Sequence, residues 1–87
     1  MAIELDFYYD EKRQGYWING GGFDFFAYFT EDEEKNTYIE CDSVCREGDD
    51  FKTSIQVKLG PSGQVHRDIL ETAVHNELNK WWPNWDA

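Results

Sequence analysis

The side chains in this 87-residue sequence best suited to hold a metal or act as a nucleophile are Cys41, Cys45, His66 and His75. Their spacing, C-x3-C followed by H-x8-H, matches no common zinc pattern. On a helix, residues nine apart point to opposite sides, so His66 and His75 would not share an ion. A Cys41–Cys45 disulfide would need a bent segment. A straight strand separates residues four apart by roughly 13 Å, whereas a disulfide holds its Cα atoms about 4.4–6.8 Å apart. Two reduced, buried thiols are the expectation. The acids around Cys41 oppose a thiolate, and the acidic runs lack the spacing of a calcium loop. "NGGG" (19–22) resembles a phosphate loop, but no helix follows it and the nearby acids repel phosphate. The expectation is a protein with no catalytic residues, no metal and no cofactor; it is not an enzyme.

The chemistry that stands out is charge beside aromatic rings. "GFDFFAYFTEDEEKN" (22–36) sets five rings into one strand-length run and follows them with Glu31-Asp32-Glu33-Glu34. Residues 1–50 carry fourteen acids against four bases, while 51–87 are balanced, so the whole net charge of −10 lies in the first half. Such a surface repels nucleic acid and anionic membranes and attracts basic proteins. No stretch approaches the ~20 apolar residues of a membrane span. The N-terminus also lacks a signal peptide's regions, which predicts a cytoplasmic protein.

The length predicts one domain over 1–87. "IELDFYYD" alternates apolar and polar residues, as a half-buried strand does. "YWI" (16–18), residues 23–30, "TYIECDSVC" (37–45) and "FKTSIQVKL" (51–59) supply further strands separated by short turns. Short turns imply an antiparallel meander. After "GPSG" the period becomes helical, through Val65, Ile69, Leu70, Ala73, Val74, Leu78 and Trp81, with Ser62 as N-cap and Pro83 as the stop. The predicted fold is α+β: a four- to five-stranded antiparallel sheet over about 3–59, a helix over about 63–82 packed across one face, and a Trp-rich tail at 83–87. Trp81 at the helix end and Trp85 in that tail are expected to clamp the helix end against the sheet.

If the helix covers the face bearing Phe7, Phe25, Ile39, Ile55 and Val57, alternation places acids and rings together on the other. The candidate partner-binding residues are Asp24, Tyr28, Glu31, Asp32, Glu33, Glu34, Tyr38, Glu40 and Asp42. Tyrosines anchor interfaces and carboxylates steer a basic partner to them. This predicts a small acidic inhibitor, immunity-type or regulatory protein that docks on a basic protein. In size, charge and layout the chain is similar to bacteriocin immunity, antirestriction and some anti-CRISPR proteins. One alternative is a small-molecule pocket between sheet and helix, lined by Tyr9, Trp17, Phe25 and Trp81. Another is homo-oligomerisation through an edge strand or the tryptophan tail.

Overall fold

Alternation along each strand decides which side chains meet the helix, and the computed structural model, which describes residues 4–61 and 67–85, carries that alternation across the sheet. Five strands, β1 (Asp6–Asp10), β2 (Gly15–Gly20), β3 (Phe23–Glu31), β4 (Asn36–Cys45) and β5 (Lys52–Pro61), precede one helix, α1 (Arg67–Trp81). Their order in the sheet is the order in the chain, with antiparallel pairing throughout. The fold is an α+β meander with one C-terminal helix. The expected cap Ser62, the first predicted helical turn with Val65 and His66, and the first predicted strand residue Ile3 lie outside the described residues.

The turns fix the register. Between β1 and β2, Asp10 Oδ1 accepts the amides of Lys12 and Arg13 at 3.1 and 3.2 Å, so the aspartate closes its own loop. Between β2 and β3, Gly20, Gly21 and Gly22 all take positive φ (136°, 58° and 86°), which glycine adopts without steric cost. Asp32 builds the β3–β4 turn, described below with the site. A bulge interrupts the β4–β5 ladder between Cys41 and Val44, where Ser43 adopts φ 58°. The extra residue resets the alternation, so Cys41 and Val44 are both buried and Cys45 is only partly covered. Both cysteines are free thiols.

The core lies between the inner sheet face and α1. Ile18, Phe23, Phe25, Ala27, Ile39, Cys41 and Ile55 meet Leu70, Val74 and Leu78 in one buried cluster. Those three helical residues recur every four positions, giving a narrow stripe. Ile69 and Trp81, expected on the buried face, fall beside the stripe and are 44% and 43% exposed. The clamp at the helix end is therefore Trp82 with Trp85. Trp82 lies one turn beyond Leu78, and its amide still bonds the Leu78 carbonyl at 2.7 Å. Both indoles meet Phe23 edge-on, at 5.0 and 5.7 Å. Trp82 Nε1 donates to Asp49 Oδ2 at 2.7 Å. Arg46 ties this corner to the sheet, donating to the carbonyls of Gly21 (2.7 Å) and Trp85 (3.2 Å).

Candidate functional site

The face that α1 leaves uncovered carries rings and carboxylates in ordered rows. Strand pairing sets Tyr8 beside Trp17 and Trp17 beside Phe26, a row of three aromatics across β1, β2 and β3. The next row runs Asp10, Gly15, Tyr28, Glu40, Gln56 across all five strands. Tyr38 follows between Thr30 and Lys58, and Asp24 lies on the opposite flank beside Asn19 and Asp6. Asp42 follows Glu40 by two residues on β4, which returns it to the same face. Tyr8 is 69% exposed, and Trp17, Phe26 and Tyr28 are half-buried.

Gly15 makes this surface possible. A Cβ there would stand 2.3 Å from Phe26 Cζ and 2.6 Å from the Ala27 carbonyl oxygen. Without one, the Phe26 ring reclines over β2 and meets Trp17 at 5.1 Å, with interplanar angle 60°. On its other side Phe26 stacks on Tyr28 at 6.3 Å and 24°. Trp17, Phe26 and Tyr28 thus form a continuous ribbon of rings.

A carboxylate receives the polar hydrogen at each end of that ribbon. Trp17 Nε1 donates to Asp10 Oδ2 at 3.1 Å. That bond, aided by the Arg13 and Lys12 amides and the Arg13 charge, holds Asp10 below the usual aspartate value. The Arg13 guanidinium lies over Trp17, 5.2 Å from the ring centroid, with Nε 3.9 Å from Asp10 Oδ2. At the other end Tyr28 Oη donates to Glu40 Oε2 at 2.8 Å and lies 3.3 Å from Asp42 Oδ2. A phenol has one proton, so the shorter contact is the principal bond. Gln56 Nε2 donates to Glu40 Oε1 at 3.0 Å. The bond to Glu40 and the negative charge of both acids push the Tyr28 hydroxyl up to about 12.

The four acids of the β3–β4 turn have different roles. Asp32 accepts the amides of Glu34 and Asn36 (both 2.9 Å), the Asn36 side-chain amide (3.2 Å) and the Tyr38 hydroxyl (3.1 Å). These bonds, led by the Asn36 amide, hold its carboxyl below the usual range, and Asp32 in turn raises the Tyr38 hydroxyl. Asp32 is therefore the organiser of the turn. Glu31, Glu33 and Glu34 are exposed, with Lys35 4.0 Å from Glu31.

Of the residues proposed from sequence, Asp24, Tyr28, Tyr38, Glu40 and Asp42 share the outer face, with the turn acids at its edge. The rings grouped as a pocket are dispersed. Phe25 is buried in the core, Tyr9 meets Tyr16 edge-on at 5.2 Å, and Trp81 stacks on Phe51 at 5.7 Å. Trp17 is on the opposite face from Phe25, so the four line no common cavity. A cleft of about 520 Å³ lies instead between β5 and α1, lined by Val57, Leu59, Ile69, Ala73 and polar neighbours. Alternation along the strands put Tyr8, Asp10 and Phe26 on the polar side, as the register bears out, without naming them as partner-binding residues, and sequence reasoning did not place Arg13 or Trp17 on this face. The pairing of Gly15 with Tyr28, readable once the turns are fixed, is the feature that assembles them.

The nucleophile and metal candidates lie apart from this surface. Burial, with Asp42 and Glu77 adding to it, pushes the Cys41 thiol up to about 12. His75 packs against Trp85 at 5.2 Å, and His66 lies outside the described residues. Among the described residues no three His, Cys, Asp or Glu side chains converge to hold a metal ion. No described helix is long and apolar enough to cross a membrane. No protein-family model, no curated protein and no solved structure is matched by this chain.

Proposed function

We propose that this chain is a non-catalytic binding module that docks the outer face of its sheet on a basic protein, acting as an inhibitor, immunity-type or regulatory protein. One observation carries the reading: a ribbon of accessible rings, Tyr8, Trp17, Phe26 and Tyr28, crosses the uncovered sheet face amid Asp6, Asp10, Asp24, Glu40 and Asp42. Solubility accounts for the acids but not for rings left on a wet surface. Apolar surface rimmed by charge is the composition of an interface. The rings supply contact area and the carboxylates steer the encounter. A basic cleft that ordinarily holds phosphates is a fitting target for such a surface.

The test is affinity capture from a bacterial lysate at low and moderate salt, using the wild type beside a Phe26→Ala/Glu40→Gln/Asp42→Asn variant. The expected result is one stoichiometric basic protein held by the wild type and lost by the folded variant. Equal retention by both would overturn the reading.

The cleft between β5 and α1 favours a second reading, a small apolar ligand held by Val57, Leu59, Ile69 and Ala73. An environment-sensitive apolar dye that binds the wild type and is displaced by Ala73→Leu would support it. Unchanged dye binding in that variant would remove it.

A further inference from the structure

We infer that the Phe26–Tyr28–Glu40–Asp42 end of the aromatic ribbon is a receptor for an arginine side chain of the partner. The inference rests on the docking reading above and specifies the chemistry that the outer face recognises. The two ends of the ribbon are built alike. At one, the Trp17 indole N–H points at Asp10, and the guanidinium of Arg13 lies on the Trp17 face beside that carboxylate. At the other, the Tyr28 hydroxyl points at Glu40, and the near-parallel Phe26 and Tyr28 rings offer a face beside two carboxylates. Among the described residues no ion pair engages Glu40 or Asp42. The chain thus shows with its own Arg13 how this ribbon takes a guanidinium, and repeats the ring and carboxylate elements at the other end.

The acceptor count agrees. An ionised carboxylate offers about four lone-pair sites. Among the described residues Glu40 uses one for Tyr28 and one for Gln56, and Asp42 receives only the long contact to Tyr28. Glu40 Oε2 and Asp42 Oδ2 both lie within 3.3 Å of the Tyr28 hydroxyl, so the planar fork of one guanidinium reaches both carboxylates while its flat face rests on a ring. An ammonium is a compact, strongly hydrated point charge and cannot satisfy both demands at once. The partner group is therefore arginine in preference to lysine.

The experiment is an NMR titration of the full chain with three peptides, Gly-Arg-Gly-Arg-Gly and its lysine and citrulline counterparts, at fixed salt. Citrulline keeps the shape of arginine and removes its charge. The inference expects shifts at Phe26, Tyr28, Glu40 and Asp42 with the arginine peptide. Binding should be about tenfold weaker with lysine, absent with citrulline, and reduced about tenfold in Asp42→Asn. That variant keeps the Tyr28–Glu40 bond, so the fold is preserved, and circular dichroism checks it. If arginine and lysine peptides shift the outer face equally, arginine recognition is overturned while docking by charge stands. If neither peptide moves outer-face resonances, both readings fail.

Discussion

The two faces of this sheet draw on the same residue types and use them in opposite ways. On the inner face Phe23 and Phe25 meet edge-on at 6.4 Å and are sealed beneath Trp82, Trp85 and α1. On the outer face Trp17 and Phe26 meet more closely, at 5.1 Å, yet remain accessible, with carboxylates where the inner face has aliphatic side chains. A ring buried among apolar groups contributes stability in proportion to the area removed from water. A ring half-buried among acids contributes less and retains area to bury against a partner. Mutations should therefore separate the faces, with the inner rings setting stability and the outer rings setting binding.

The largest effect is expected from truncation after Lys80, which deletes both buried indoles. Cutting a single buried aromatic back to alanine costs about 3–5 kcal/mol, and a domain of this size holds only about 4–13 kcal/mol in total. The truncated chain should show no cooperative thermal transition by circular dichroism. An unchanged melt would deny the clamp.

Next comes a paired comparison by urea denaturation. Phe23→Ala should cost about 3–5 kcal/mol, whereas Phe26→Ala, losing only partial burial, should cost about 1 kcal/mol. Equal losses would mean that the outer ribbon is core rather than surface.

A smaller effect sharpens the contrast within the acidic turn. Asp32→Ala should lower the Tm measurably, while Glu33→Gln should leave it unchanged and Glu33→Gln/Glu34→Gln should slow partner association. The pH dependence has a matching sign. Asp10, Asp32 and Asp49 all lie below the ordinary aspartate value of 3.8 in the folded chain. Their contribution is therefore present above about pH 4 and is lost as pH falls through the lowered folded values. Replacing Asp32 should shrink that acid limb in pH-dependent melts.

The subtlest comparison sets one raised group on each face against the other. Cys41 and Tyr28 are both pushed up to about 12, the thiol mainly by burial and the phenol mainly by Glu40 and Asp42. Raised folded values mean that both contributions are intact below the unfolded values and fade as pH climbs through about 12. Added salt should lower the Tyr28 midpoint, followed by phenolate absorbance, and leave Cys41 reactivity toward a thiol reagent unchanged.

The strands were legible because residues such as Ile39, Cys41 and Ile55 alternate cleanly with Tyr38, Glu40 and Gln56, and a one-residue slip would bury the acids. The same pattern placed Tyr28, Glu40 and Asp42 on the outer face. Three features escaped it for physical reasons. The run Tyr16-Trp17-Ile18 is apolar throughout, so only its pairing with Phe25 and Phe26 decides that Ile18 faces inward and Trp17 outward. Ser43 enters the left-handed region without being glycine, so its composition does not announce the bulge that buries Val44. Asp32 is one acid among four in sequence, and only the turn singles it out as the acceptor of four hydrogen bonds.

The central claim is that the outer face makes the contact, and hydroxyl-radical footprinting of the captured complex tests it most directly. The molecule offers an internal control in Phe51 and Trp81, an exposed stacked pair at the end of α1 remote in sequence from the ribbon. The account predicts that oxidation of Tyr8, Trp17, Phe26 and Tyr28 falls in the complex while that of Phe51 and Trp81 stays constant. Protection of Phe51 and Trp81 with Tyr8 and Trp17 oxidised as in the free chain would contradict it.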